Sequence, residues 1–171
     1  EHEDLSRLPI ETSFQLTQSP LLFESFFYDM ASTEITEDQI AVLEQTIERM
    51  ETSAQDSDEA DEADRVFHMT IAKASGNTAN YFIMENLWRM RVELPDVREM
   101  YAAVCEEDSY SRVDEHAAIL DALKERNPDK ARKAMRAHFS RLIENLLVAS
   151  EQHAIEEARR RSHANREKYL K

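Results

Sequence analysis

The stretch Asp64-Arg65-Val66-Phe67-His68-Met69-Thr70-Ile71-Ala72-Lys73-Ala74-Ser75-Gly76 decides how this chain folds. Phe67, Ile71 and Ala72 fall at helical spacing, so the segment predicts a helix with one apolar face. Gly76 is placed to end it, because glycine readily adopts the left-handed backbone that closes a helix. Asp64 and His68 are one turn apart, and i, i+4 spacing sets both on the side that carries Phe67 and Ile71. The face that must be buried therefore brings a carboxylate and an imidazole with it.

The same periodicity continues on both sides. A first helix is predicted from about Gln15 to Ser32, with Leu21, Leu22, Phe23, Phe26 and Phe27 apolar and Pro20 in its first turn or at a kink. Thr36 and Gln39 form a capping-box pair that opens a helix with Ile40, Leu43, Ile47 and Met50 on one stripe. The acidic run Asp56 to Asp64 reads as the lead into the helix quoted above. Asn77 or Thr78 starts the next one, which runs from about Ala79 to the region of Pro95 and carries Phe82, Leu87, Trp88 and Met90. A further helix runs from about Tyr110 to Glu125 with Val113, Ala117, Leu120 and Leu123 on one face. Asn127-Pro128-Asp129 then stops one helix and starts another, with Asn127 as cap and Pro128 at the first helical position. That last core helix carries Ala131, Met135, Leu142, Ile143 and Leu146.

Residues 1–13 are polar and read as a linker or frayed N-terminus, 14–150 as one domain, and 151–171 as a charged tail that is helical in part. No segment alternates like a strand. One glycine and four prolines in 171 residues leave few tight turns, so the predicted class is all-α, an antiparallel bundle of six or seven helices.

Composition excludes several functions. The net charge of −14 repels phosphate backbones and anionic membranes, so DNA contact would need another domain. No apolar run approaches the roughly 20 residues of a membrane span. The single cysteine, Cys105, has no partner for an internal disulfide and suits a reducing cytoplasm. One glycine cannot build a phosphate-cradling loop, and no serine stands in a nucleophile motif.

Three of the six histidines fall on predicted apolar stripes. His68 lies beside Phe67 and Ile71, His116 between Val113 and Leu120, and His138 between Met135 and Leu142. Three helices thus each aim an imidazole inward, and Asp64 adds a carboxylate. A buried carboxylate is costly without a partner, and one divalent ion would satisfy all four groups. These ligands suit zinc first, and also nickel, manganese or iron, and they leave positions open for a carboxylate or hydroxyl oxygen of a small acid. The plainer alternatives are three hydrogen-bonded core histidines, with Asp64 merely ending the solvated acidic run. His2, His153 and His163 lie in polar segments and read as surface residues. Trp88, Arg89 and Arg91 in Leu-Trp-Arg-Met-Arg, and Arg112 one turn before His116, are candidate contacts for an acidic effector.

Asp64-Arg65-Val66-Phe67-His68, Ala74-Ser75-Gly76-Asn77, Asp114-Glu115-His116 with Ile119 and Leu120, and Met135-Arg136-Ala137-His138 together resemble the C-terminal effector domain of GntR-type transcription regulators, in particular the FCD domain of the FadR branch. The spacing agrees as well, 48 residues from His68 to His116 and 22 from His116 to His138. The resemblance covers about residues 14–150. It implies a helical bundle around a metal-and-ligand cavity, homodimers, and operator DNA bound through an N-terminal winged helix-turn-helix. The family's metal ligands match Asp64, His68, His116 and His138. Gln15-Leu16-Thr17-Gln18, Phe23-Glu24-Ser25 and Leu87-Trp88-Arg89-Met90-Arg91 look most like the hexuronate-responsive members.

The sequence departs from that pattern twice. No winged-helix segment stands before residue 14, so the chain reads as a fragment or a stand-alone effector domain. Many relatives carry an arginine on the first helix for the effector's carboxylate, and Pro20 stands there, so either another cation such as Arg89 or Arg112 serves or the effector differs. The expected function is that of a sensor, not an enzyme. The alternatives are a metalloenzyme using a metal-activated water and a helical interaction module with structural histidines.

Overall fold

A computed structural model of the chain describes residues 15–19, 30–53, 58–107 and 109–170. Residues 15–19 are helical (α1), and 30–34 form a further helical turn. Then come α2 (Glu37–Thr52), α3 (Asp58–Ala74), α4 (Thr78–Glu93), α5 (Pro95–Glu107), α6 (Ser109–Lys124) and α7 (Pro128–Tyr169). Among the described residues there is no strand. The linker expected at 1–13, Pro20 and the apolar cluster from Leu21 to Phe27 lie outside the described residues.

The helix ends follow local chemistry. Thr36 Oγ1 accepts from Gln39 N at 3.2 Å while Thr36 N donates to Gln39 Oε1 at 2.9 Å, the reciprocal capping box. Gly76 closes α3 with φ +66°, and Asn77 Oδ1 accepts from Ala79 N and Asn80 N to open α4. Asn127 Oδ1 accepts from Lys130 N at 3.1 Å, with Pro128 at the start of α7.

Four details go beyond these readings. The acidic run is not only a lead-in. Asp58, Glu59 and Asp61 form the first turn of α3, where negative charge is stabilised by the helix N-terminus. Pro95 opens α5, because proline lacks only an N–H that the first helical position leaves unbonded anyway. On α4 the inward residue is Met84, 5% exposed, whereas Phe82 is 64% exposed and Met90 also faces outward. Apolar residues lie on two sides of α4, so periodicity alone does not choose between them. Finally, α7 continues unbroken to Tyr169, with residues beyond 150 largely solvent-facing.

The helices pack as a closed ring: α2 on α3, α3 on α4, α4 on α5, α5 on α7, α7 on α6, and α6 back on α2. Three-residue connections between α3 and α4 and between α6 and α7 force antiparallel neighbours, giving an antiparallel bundle. Its core includes Leu43, Phe67, Ile71, Ile119, Leu123, Met135 and Leu146, all essentially without solvent contact. Each contributes about 1.5–3 kcal/mol through burial. No described helix is long and apolar enough to cross a membrane.

Candidate metal and effector site

The ring encloses polar groups at its centre. Asp64 and His68 come from α3, His116 from α6 and His138 from α7, and none is more than 5% exposed. The three histidines each offer a ring nitrogen, and these nitrogens lie within 4.8 Å of one another. Asp64 Oδ1 stands 2.9 Å from His116 Nε2 and 3.3 Å from His68 Nε2. Phe67 packs edge-on against His116, with ring centroids 4.6 Å apart, and walls the cluster from the core.

The hydrogen bonds fix how the rings present themselves. His116 Nδ1 lies 2.7 Å from the Arg112 carbonyl oxygen, so Nδ1–H donates there. A neutral imidazole carries one N–H, yet both nitrogens of His116 face acceptors. Its Nε2 contact with Asp64 therefore needs a second ring proton or a cation. His138 Nδ1 donates to Glu115 Oε2 at 2.8 Å, which turns Nε2 toward the cluster. Arg141 clamps Glu115 from behind, Nη2 donating to Oε2 at 2.8 Å. His68 Nδ1 is buried and has no hydrogen-bond partner among the described residues.

Electrostatics follow from burial and these bonds. Burial pushes His138 down to about 4, against the pull of Glu115, and lowers His68 against the pull of Asp64. Burial would raise the Asp64 carboxyl, but the contacts from His116 and His68 outweigh it and hold it well below the usual range. Glu115 is likewise lowered, burial being outweighed by His138 and Arg141. The neutral His68 and His138 rings beside an ionised Asp64 are what a divalent cation needs of its ligands.

Beside the cluster is a cavity lined by Leu87, Trp88, Arg91, Tyr101, Arg112 and Arg141 among others, with ≈ 60 Å³ open to the centres of water-sized molecules. One water needs about 10–15 Å³ by the same measure, so several waters or the polar end of a small acid fit.

A family profile described as the FCD domain matches residues 17–141, more than half of the chain. The chain belongs to the FCD family. The relatives of this FCD domain are GntR-type transcription regulators, not enzymes. It is 26% identical over 151 residues to the Uxu operon regulator of Haemophilus influenzae, covering 88% of this chain and 57% of that protein. It is 30% identical over 127 residues to the HTH-type transcriptional repressor NanR of Salmonella newport, covering 72% and 46%. The FCD domain thus spans about half the length of the curated relatives it matches. Among solved structures, Streptococcus agalactiae GntR superposes with a TM-score of 0.64 at 22% identity, over 83% of this chain and 60% of that one. E. coli McbR/YncC gives 0.66 at 18% identity, over 81% and 64%, and both likenesses concern the fold.

The FCD fold brings together all four residues singled out as ligands, and it sorts the candidate effector contacts. Trp88 lines the cavity, its ring centroid 6.0 Å from that of His68. Arg112 is buried and lines it too, with Nη1 3.8 Å from Asp61 Oδ1. Arg89 does not reach it: its side chain is 61% exposed and donates to Asn86 Oδ1. Two residues on a helix turn through about 200°, so Arg91 points inward where Arg89 points out. Sequence reasoning missed the Glu115–Arg141 support of His138, although the i, i+3 spacing of His138 and Arg141 was a signal for it. It missed the hydrogen bond between the Tyr101 and Thr17 hydroxyls altogether, because Tyr101 lies on a helix the sequence did not announce.

Proposed function

We propose that this FCD domain is the ligand-sensing and dimerisation part of a cytoplasmic transcription regulator. Asp64, His68, His116 and His138 hold one divalent metal ion, zinc in the first instance, and a small organic acid of the sugar-acid type binds beside it in the cavity. Operator DNA is contacted through a separate N-terminal domain, which agrees with the net charge of −14 on this chain. The relatives named as an operon regulator and a transcriptional repressor support the regulatory role. No observation favours the metalloenzyme reading.

The observation that carries the metal reading is His116. Its two nitrogens both face acceptors, inside a cluster where His68 Nδ1 also has no hydrogen-bond partner among the described residues. A divalent ion held by Asp64 and His116 would remove that conflict without a buried extra proton. When bound, a divalent ion supplies Lewis-acid positions for a carboxylate or hydroxyl oxygen.

The chain's own groups do the rest. Glu115 holds the proton on His138 Nδ1 and so keeps Nε2 as the inward lone pair. Phe67 and Leu142 keep bulk water from the imidazoles. Because the four ligands come from α3, α6 and α7, occupancy ties three helices of the ring together and biases their packing. Calorimetric titration of the chelator-treated chain with zinc tests this. One ion per chain is expected, with His116→Ala losing most of the affinity. Absence of stoichiometric binding, together with unchanged melting of His116→Ala, would remove the proposal.

A further inference from the structure

The Arg91 side chain is only 16% exposed, and its Nη1 lies 3.3 Å from Asp64 Oδ2. Its guanidinium carbon lies 4.5 Å from the Trp88 ring centroid and 4.3 Å from that of Tyr101. Trp88, Arg91 and Tyr101 line the inner cavity and also a larger outer groove of ≈ 550 Å³, so these three side chains form the wall between the two. We infer that Arg91 is the anchor for the carboxylate of an acidic effector that reaches the inner cavity from the outer groove. This rests on the proposed metal-and-acid reading of the same site.

Stacking over aromatic rings occupies the faces of a guanidinium and leaves the in-plane N–H fork for a planar carboxylate, which it meets in bidentate fashion. In this structure part of that fork is turned to Asp64. Once Asp64 is committed to a divalent cation, its charge is shared, and a second carboxylate can compete for the guanidinium. The other candidate cations are less suitable. Arg89 points to solvent, Arg141 is engaged with Glu115, and Arg112 has its Nη1 3.8 Å from Asp61 Oδ1.

The test uses the zinc-loaded chain, with glucuronate and its uncharged amide, glucuronamide, as probes. Calorimetry gives affinity and zinc stoichiometry, and the single tryptophan, Trp88, reports events at the wall by fluorescence. The wild-type chain is expected to prefer glucuronate. Arg91→Gln should keep one zinc per chain, bind glucuronate about 10- to 100-fold more weakly, and lose the preference over the amide. Arg91→Lys, which keeps the charge without the fork, should recover part of the preference and also serves if the glutamine variant does not fold. Unchanged glucuronate affinity in Arg91→Gln overturns the anchor and leaves the metal-and-acid reading standing. Loss of zinc together with the acid also overturns it, because Arg91 would then act by supporting Asp64. If the zinc-loaded wild type binds neither probe, the sugar-acid reading falls and takes the anchor with it.

Discussion

Acidifying the metal-free domain from pH 7 toward pH 4 should destabilise it, and the amount can be worked from His138. Burial takes this ring from its ordinary value of 6.5 to about 4. Between those values the unfolded chain binds a proton that the folded chain does not, so stability falls as pH falls. The difference of 2.5 units at about 1.36 kcal/mol each gives on the order of 3 kcal/mol, fully lost by about pH 4. His68, lowered for the same reason, adds in the same direction. The lowered carboxyls of Asp64 and Glu115 act with the same sign, but only as pH falls below their unfolded values near 4. Urea unfolding of chelator-treated protein at half-unit steps measures this directly. His138→Gln should flatten the slope between pH 6.5 and 4. A wild-type stability that does not change across that window, or an equal slope in the variant, would refute the assignment of a buried, neutral His138.

Two substitutions probe the surroundings of the site. Glu115→Gln keeps the shape but removes the carboxylate that holds the His138 tautomer, so zinc affinity should fall by about 10- to 100-fold with little change in melting temperature; competition with a chromogenic chelator reads it. Phe67→Ala opens a cavity beneath His116 in the least exposed part of the core and should cost about 3–5 kcal/mol in chemical denaturation, with weaker zinc binding because the ring that packs on His116 is gone.

Much of this was legible in the sequence, for reasons particular residues show. The helix from Asp58 to Ala74 could be read because Phe67 and Ile71 mark its phase and Gly76 its end. That phase carried Asp64 and His68 inward with it, and the same logic brought His116 and His138 to the centre. The histidines were visible because a polar residue on an apolar stripe is conspicuous. Arg91 was harder to separate from Arg89: both stand in one five-residue run, and α4 has apolar residues on two sides. Only the contact of α4 with α3 and α5 selects the stripe of Met84, Leu87, Trp88 and Arg91. The helix α5 was hidden by Pro95, which ends one helix pattern and begins the next within two residues. With α5 unread, Tyr101 had no place, and neither its bond to Thr17 nor its position over Arg91 could be anticipated.

The account turns on one cation at one cluster. Anomalous scattering collected on both sides of the zinc absorption edge, from crystals of the zinc-loaded chain, tests that most directly. The account predicts a single strong peak within bonding distance of Asp64, His68, His116 and His138, with Glu115 still on His138 Nδ1. A zinc-loaded crystal with no peak among these residues, or with its peak on the exposed acidic residues of α3, would contradict it.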